Sequence, residues 1–279
     1  MSEVQHQTIK VKGGEIAYEL RGEGPPLLMI MGYLARGSGW SLQREALSQS
    51  YRVLTFDHVG VGDSPGESPK SMEGFVAHCV ALLDAEGWDS AHVIGVSMGG
   101  MIAQHLALSE PERVRSLSLI VTHSGGLRSV IPPLRGLPHF FKAQLARNPR
   151  ARHEALARLL IPAERFEQLD QEEVIQQIAR DFSPRPPLAV RLAQLRAVLG
   201  HKTSDRVATL KAPTLLVSAD QDLLVAPRHQ RRLAEELPQA QLLRYAGAGH
   251  GLIRQADLDL SAQLSAHLSR AERALVTAP

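Results

Sequence analysis

Short apolar segments alternate with longer segments of helical periodicity along the first 121 residues. Apolar stretches typical of buried β-strands begin at Leu27, Tyr51, Ala91 and Leu117. Helical patterns occur at 41–47, 71–86 and 98–108. Ahead of them, Gly13-Gly14 separates two strand patterns at 4–10 and 15–20, which predicts an N-terminal hairpin. This order predicts an α/β fold with a mostly parallel central sheet that helices cover on both faces.

The pattern changes between residues 125 and 205. Pro132, Pro133 and Pro138 interrupt any regular periodicity, and no strand pattern follows them in this segment. Helical stretches are predicted there at about 150–160, 164–181 and 188–199. Strand patterns resume at Pro213, so we predict a core formed by 1–124 and 206–279 with a helical insertion at 125–205. Such an insertion would lie over the carboxyl ends of the strands and form a lid, because pockets of open α/β sheets form there.

The segment Gly95-Val96-Ser97-Met98-Gly99-Gly100 joins a strand pattern at 91–94 to a helical pattern. A serine at such an abrupt turn adopts strained backbone geometry, and glycines two positions on either side remove side chains that would collide. The hydroxyl of Ser97 would then project above the sheet, beside the free N–H of Met98 at the start of the helix. This predicts a nucleophile elbow with Met98 as an oxyanion donor; the alternative is an ordinary turn rich in glycine and serine.

A serine nucleophile requires a histidine base and a carboxylate that orients the histidine. In this type of fold the acid and then the histidine follow the serine along the chain. His250 lies between Gly249 and Gly251 after the strand pattern at 241–245. The strand pattern at 213–218 leads to Asp220 and Asp222. We predict a triad of Ser97, Asp222 and His250, with Asp220 as the alternative acid.

These motifs resemble those of the α/β-hydrolase superfamily, and the resemblance covers nearly the whole chain. It extends to the strand and loop at 27–33, the segment 51–64 and the motif Pro111-Glu112-Arg113-Val114. The resemblance implies the α/β-hydrolase fold and a second oxyanion donor, the backbone N–H of Tyr33. Met31 and Val59 stand where the family usually has histidine and arginine. In the loop after the strand pattern at 213–218, Ala219 stands where the family usually has glycine. Ala226 is an extra residue before Pro227, and this insertion shifts the alignment that favours Asp222.

Residues near the predicted site and in the predicted lid are candidates for substrate contacts. They are Gly32, His123, Phe140 and Phe141, with Leu134 and Leu137 as further possible walls of an apolar pocket. The alternative for the lid residues is packing of the lid onto the core. For His123 the alternative is a polar residue that ends a strand.

Composition changes this interpretation little. The chain has 279 residues, a formal net charge of +2 and one cysteine, which argues against a nucleic-acid or membrane surface and excludes an internal disulfide. The sequence has no metal-binding motif and no phosphate-binding loop, and Pro65 takes the place of the third glycine that a dinucleotide fingerprint at 60–65 would need. We therefore expect no cofactor, no metal, no nucleic-acid or membrane partner, and a small-molecule ester substrate. The N-terminus lacks the pattern of a signal peptide, which predicts a cytoplasmic protein, either a monomer or a homodimer.

The chemistry predicted from these residues is acyl transfer through an acyl-enzyme, with a small carboxylic ester or lactone as the leading substrate class. Three alternatives stay open at the sequence level. The same residues serve hydrolysis of carbon–carbon bonds and perhydrolysis of the haloperoxidase type in this superfamily. Some of its members act instead as ligand receptors or regulatory partners with little turnover.

Overall fold

A computed structural model describes residues 4–237, 239–255 and 259–277, in which eight strands form a single sheet. The strands are β1 Gln5–Val11, β2 Gly14–Arg21, β3 Pro26–Ile30, β4 Arg52–Phe56, β5 Ala91–Val96, β6 Val114–Ile120, β7 Thr214–Ala219 and β8 Gln241–Tyr245. Their order in the sheet is β1-β2-β4-β3-β5-β6-β7-β8. β2 pairs antiparallel with β1 and with β4, and every other pairing is parallel. The predicted hairpin and the mostly parallel sheet are confirmed.

Helices cover both faces of this sheet. They are α1 Ser41–Leu47, α2 Met72–Ala85, α3 Met98–Ser109, α4 Leu137–Leu145, α5 Pro149–Leu160, α6 Ala163–Gln168, α7 Gln171–Phe182, α8 Leu188–Gly200, α9 Pro227–Glu236 and α10 Leu260–Thr277. Alternate side chains of β3 point to opposite faces, so Leu28 packs in the core beneath α2, α3 and α9, whereas Leu27 packs beneath α1 and α10. The apolar runs in the parallel strands are thus explained by burial on both sides.

The segment between β6 and β7 contains α4 to α8 and no strand element among the described residues. An antiparallel bridge between Gly125 and Lys202 joins the two ends of this segment. This closure supports the division that we propose from the sequence, a core of 1–124 and 206–279 and a cap of 125–205. Among the described helices, none is both long enough and apolar enough to cross a bilayer.

Two details of the cap differ from the sequence prediction. The helix predicted at 164–181 is divided into α6 and α7, because the side chain of Asp170 accepts hydrogen bonds from the N–H groups of Glu172 and Glu173 and starts a new helix. The helix α4 was not predicted. Pro138 lies in its first turn, where the missing N–H of proline removes no helical hydrogen bond.

Candidate active site

Ser97 lies at the sharp turn between β5 and α3, with φ 56° and ψ −118°. A non-glycine residue with positive φ is strained, and such strain is typical of functional positions. A Cβ atom on Gly95 would lie 2.3 Å from the carbonyl oxygen of Gly99, and one on Gly99 would lie 2.1 Å from that of Ile30. The turn therefore requires glycine at both positions. The N–H of Ser97 donates to the carbonyl oxygen of Ile120 (2.9 Å), which ties the turn to β6.

His250 and Asp222 form a buried hydrogen-bonded pair beyond the ends of β8 and β7. Nδ1 of His250 lies 2.8 Å from Oδ2 of Asp222. A carboxylate accepts only, so Nδ1 donates the proton of this bond and Nε2 is left with its lone pair. Oδ1 of Asp222 accepts from the N–H groups of Leu224 (2.7 Å) and Val225 (2.8 Å). Gln230 donates to Oδ2 through Nε2 (3.0 Å), so the carboxylate is held from several sides.

Asp220 faces a different neighbour. Its carboxylate forms an ion pair with Arg244, whose Nη2 lies 2.8 Å from Oδ2. The side chain of Asp222 is 0 % exposed, whereas that of Asp220 is 24 % exposed. Of the two candidate acids, the structure brings Asp222 to His250.

The loop after β3 lies against the turn that holds Ser97. A Cβ atom on Gly32 would be 3.2 Å from Cβ of Ser97 and 3.8 Å from its Oγ. Within the described part of the chain, the backbone N–H groups of Tyr33 and Met98 donate no hydrogen bond to protein. These are the two predicted oxyanion donors.

The cap holds the loop after β3 in place. The N–H of Leu34, a residue with φ 57°, donates to Oε1 of Gln194 on α8 (2.9 Å). The hydroxyl of Tyr33 donates to the carbonyl oxygen of Arg191 on the same helix (3.0 Å). Gln194 is fully buried, so the loop conformation depends on the position of α8.

One cavity between the cap and the core brings several predicted residues together: Gly32, Tyr33, Ser97, Phe140 and His250 all line it. Much of its remaining wall is apolar and comes from the cap helices. Met98, the first residue of α3, is 1 % exposed and does not line this cavity. The structure thus assembles a serine, a histidine and an apolar wall around one space, as a small-molecule site requires.

His123 and Phe141, two predicted substrate contacts, do not line this cavity. Phe141 is 55 % exposed, because it follows Phe140 on α4 and successive helical residues point about 100° apart. The ring of His123 is buried, and its Nδ1 accepts a hydrogen bond from the N–H of Gly125 (2.9 Å). Burial lowers the pKa of His123 to about 3, so its ring is neutral.

Charged residues of the cavity wall were not predicted from the sequence. They are Arg152, Asp181, Arg185, Arg191 and Arg254. Four of them belong to the cap, where exposed arginines are common and sequence periodicity does not tell which ones point inward. Among the described residues, no three His, Cys, Asp or Glu side chains converge as metal ligands would.

The family model for the alpha/beta hydrolase fold matches residues 25–255. The chain therefore belongs to the α/β-hydrolase fold family. It is 32% identical over 244 residues to RutD of Azorhizobium caulinodans, which is named as a candidate carbamate hydrolase. The match covers 85% of this chain and 88% of the relative. Both findings support hydrolase activity for this α/β-hydrolase.

Solved structures of other α/β hydrolases are similar in fold. The enol-lactonase of Burkholderia xenovorans LB400 gives a TM-score of 0.80 at 23% identity, covering 94% of this chain and 100% of that one. A thermophilic esterase of Thermogutta terrifontis gives 0.80 at 24% identity, covering 96% and 99%. These similarities confirm the predicted fold.

Proposed function

We propose that this α/β hydrolase cleaves a small carboxylic ester or lactone through a Ser97–His250–Asp222 triad. The observation that carries the proposal is the buried hydrogen bond between His250 and Asp222, with His250 and Ser97 on the wall of the same cavity. A histidine held by a carboxylate in one tautomer is suited to accept a proton from a neighbouring hydroxyl.

The reaction proceeds in two halves. Oγ of Ser97 forms a bond to the substrate carbonyl carbon while its proton passes to Nε2 of His250. The resulting oxyanion accepts hydrogen bonds from the N–H groups of Tyr33 and Met98. Cleavage of the carbon–oxygen bond releases the alcohol, which takes the proton from His250. Water then repeats these steps on the acyl-enzyme and releases the acid.

Carbamate hydrolysis is a second candidate, which the similarity to RutD favours. Phenyl acetate and phenyl carbamate separate the two, because they differ by an amino group in place of a methyl group. We expect a higher kcat/KM for phenyl acetate, measured as phenol release and corrected for spontaneous hydrolysis. A higher value for phenyl carbamate would replace the ester proposal with the carbamate one.

The Ser97→Ala variant tests the nucleophile in the same assay. Without the hydroxyl no acyl-enzyme forms, so we expect a loss of at least roughly 10³-fold in kcat. Circular dichroism and the melting temperature check that the variant is folded. A folded variant with ordinary turnover would refute the serine mechanism.

A further inference from the structure

Three arginines of the cap reach the cavity wall: Arg152 from α5, Arg185 from the loop after α7, and Arg191 from α8. None of them forms an ion pair with a carboxylate among the described residues. Arg152 is 8 % exposed, and its Nη2 contacts two neutral groups, Nε2 of His153 (2.8 Å) and Oγ of Ser183 (3.4 Å). The Nε atoms of Arg152 and Arg191 are buried without a hydrogen-bond partner in the described part of the chain.

The acidic group on the cavity wall is already paired. Asp181 accepts hydrogen bonds from Arg254 and from the hydroxyl of Ser38, and its Oδ1 makes both contacts. The charges of Asp181 and Arg254 therefore balance each other. Arg152, Arg185 and Arg191 remain without a carboxylate that balances their charge. Arg185 donates to the backbone carbonyl oxygens of Ala146 and Gln144, which fix its position but carry no negative charge.

The three guanidinium groups lie close enough to influence one another. Burial lowers the pKa of Arg152, and the positive charges of Arg185 and Arg191 lower it further. Burial also lowers the pKa of Arg185, and the positive charge of Arg191 lowers it further. Arg152 is buried and the other two are half-buried. Proteins seldom bury a charge without a counter-ion, since an unpaired charge loses its hydration.

This cluster lies beside the catalytic half of the cavity. Tyr33 connects the two regions, because its N–H is a proposed oxyanion donor while its hydroxyl bonds to the backbone of Arg191 at 3.0 Å. The rest of the wall near the cap is largely apolar, with Phe140, Leu156 and Leu160 among its residues. A ligand that fits both features has a short carbon chain that ends in an anion.

We propose that the substrate of Ser97 carries a carboxylate, distant from the reacting carbonyl, that Arg152, Arg185 and Arg191 bind. This inference rests on the proposed function and narrows it to esters or lactones of dicarboxylic acids or their equivalents. The planar guanidinium group suits a carboxylate, because its N–H donors can form parallel hydrogen bonds with both oxygens. The positive charge of the arginines also disfavours neutral esters as substrates, because a neutral ester would leave the arginines unpaired.

Monomethyl adipate and dimethyl adipate test this proposal, because they share one carbon chain and differ in the charge at its far end. We expect the wild-type kcat/KM for the charged monoester to exceed that for the diester at least tenfold, measured as initial methanol release. Arg191→Gln should lower this ratio at least tenfold, as expected for a charge-assisted hydrogen bond. Arg191 is the best position to vary, since no side-chain hydrogen bond ties it to the described residues.

Arg196→Gln is the matched control, because Arg196 is an exposed arginine on the same helix. It should keep the wild-type ratio. Wild-type protein that does not prefer the charged ester, or an Arg191→Gln variant that keeps the wild-type ratio, would overturn the proposal.

A binding measurement separates this inference from the proposed function. Titration calorimetry of adipate into the Ser97→Ala protein requires no turnover, and we expect binding that Arg191→Gln weakens at least tenfold. If the wild type hydrolyses neither adipate ester, the phenyl acetate assay decides on the ester proposal, and adipate binding decides on the arginines. Binding that does not depend on Arg191 would refute the carboxylate site.

Discussion

At the scale of single residues, Asp222 and Asp220 show how two neighbouring carboxylates take different environments. The loop after β7 turns back on itself, so the carboxylate of Asp222 accepts the N–H groups of Leu224 and Val225 and faces His250. Asp220 pairs with Arg244 of the edge strand β8. Although the two residues are only two positions apart, Asp222 is hydrogen-bonded to a histidine and Asp220 belongs to an ion pair with an arginine.

The exchange of each carboxylate for an amide tests this difference. Asp222→Asn should lower kcat on a good ester by at least roughly 10²-fold, because an amide neither stabilises the histidine cation nor holds the productive tautomer. Asp220→Asn should stay within about tenfold, since exposed ion pairs contribute little. Steady-state kinetics on both folded variants with one ester gives the comparison. The reverse ranking would assign the triad acid to Asp220.

At the scale of elements, the cap helices form much of the cavity wall, while Ser97, Asp222 and His250 lie beyond the ends of core strands. Phe140 and Phe141 are neighbours on α4, with ring centroids 5.8 Å apart. Phe140 lines the cavity, whereas Phe141 is mostly exposed. The two residues therefore form a natural pair of test and control within one helix.

Phe140→Ala should shift the preference among acyl chain lengths toward longer esters, because it removes part of the apolar wall. Phe141→Ala should leave that preference as in the wild type. A series of chromogenic esters from acetate to octanoate measures both. Equal effects of the two variants on every ester would mean that Phe140 packs the cap without contacting substrate.

Much of the core and little of the cap interior could be predicted from the sequence. Buried parallel strands have continuous apolar runs, and the turn at Ser97 demands glycines that stand out in the chain. The cap lacks such markers: Pro138 looked like a helix breaker but occupies the first turn of α4, and Asp170 divides a region that appears continuous. The inward direction of Arg152 and Arg191 follows from how α5 and α8 pack, and packing is a property of the fold.

At the scale of the whole molecule, several histidines are buried in the neutral form. Burial lowers the pKa of His58, His201 and His267 to about 4 and that of His123 to about 3. In the unfolded chain these rings bind protons near pH 6.5. Between that pH and the lower folded values the unfolded chain binds more protons, so the stability present above pH 6.5 is lost as the pH falls.

The free energy of unfolding should therefore decrease between pH 6.5 and about pH 4, with each such histidine contributing up to about 1.4 kcal/mol per pH unit. His58→Gln should reduce this slope by about one histidine's contribution. His6→Gln, at a side chain that is 73 % exposed, should leave the slope near the wild-type value. Urea unfolding across this pH range provides the measurement. Equal slopes in the wild type and His58→Gln would contradict a neutral buried His58.

The central claim is that Ser97 is the nucleophile, and covalent trapping tests it most directly. A fluorophosphonate reacts with a serine that a histidine has activated and leaves a stable adduct. Intact-mass and peptide mass spectrometry should find one adduct on wild-type protein, located on Ser97, and none on folded Ser97→Ala protein. An adduct on a different residue, or active wild-type protein that stays unlabelled at Ser97, would contradict the account.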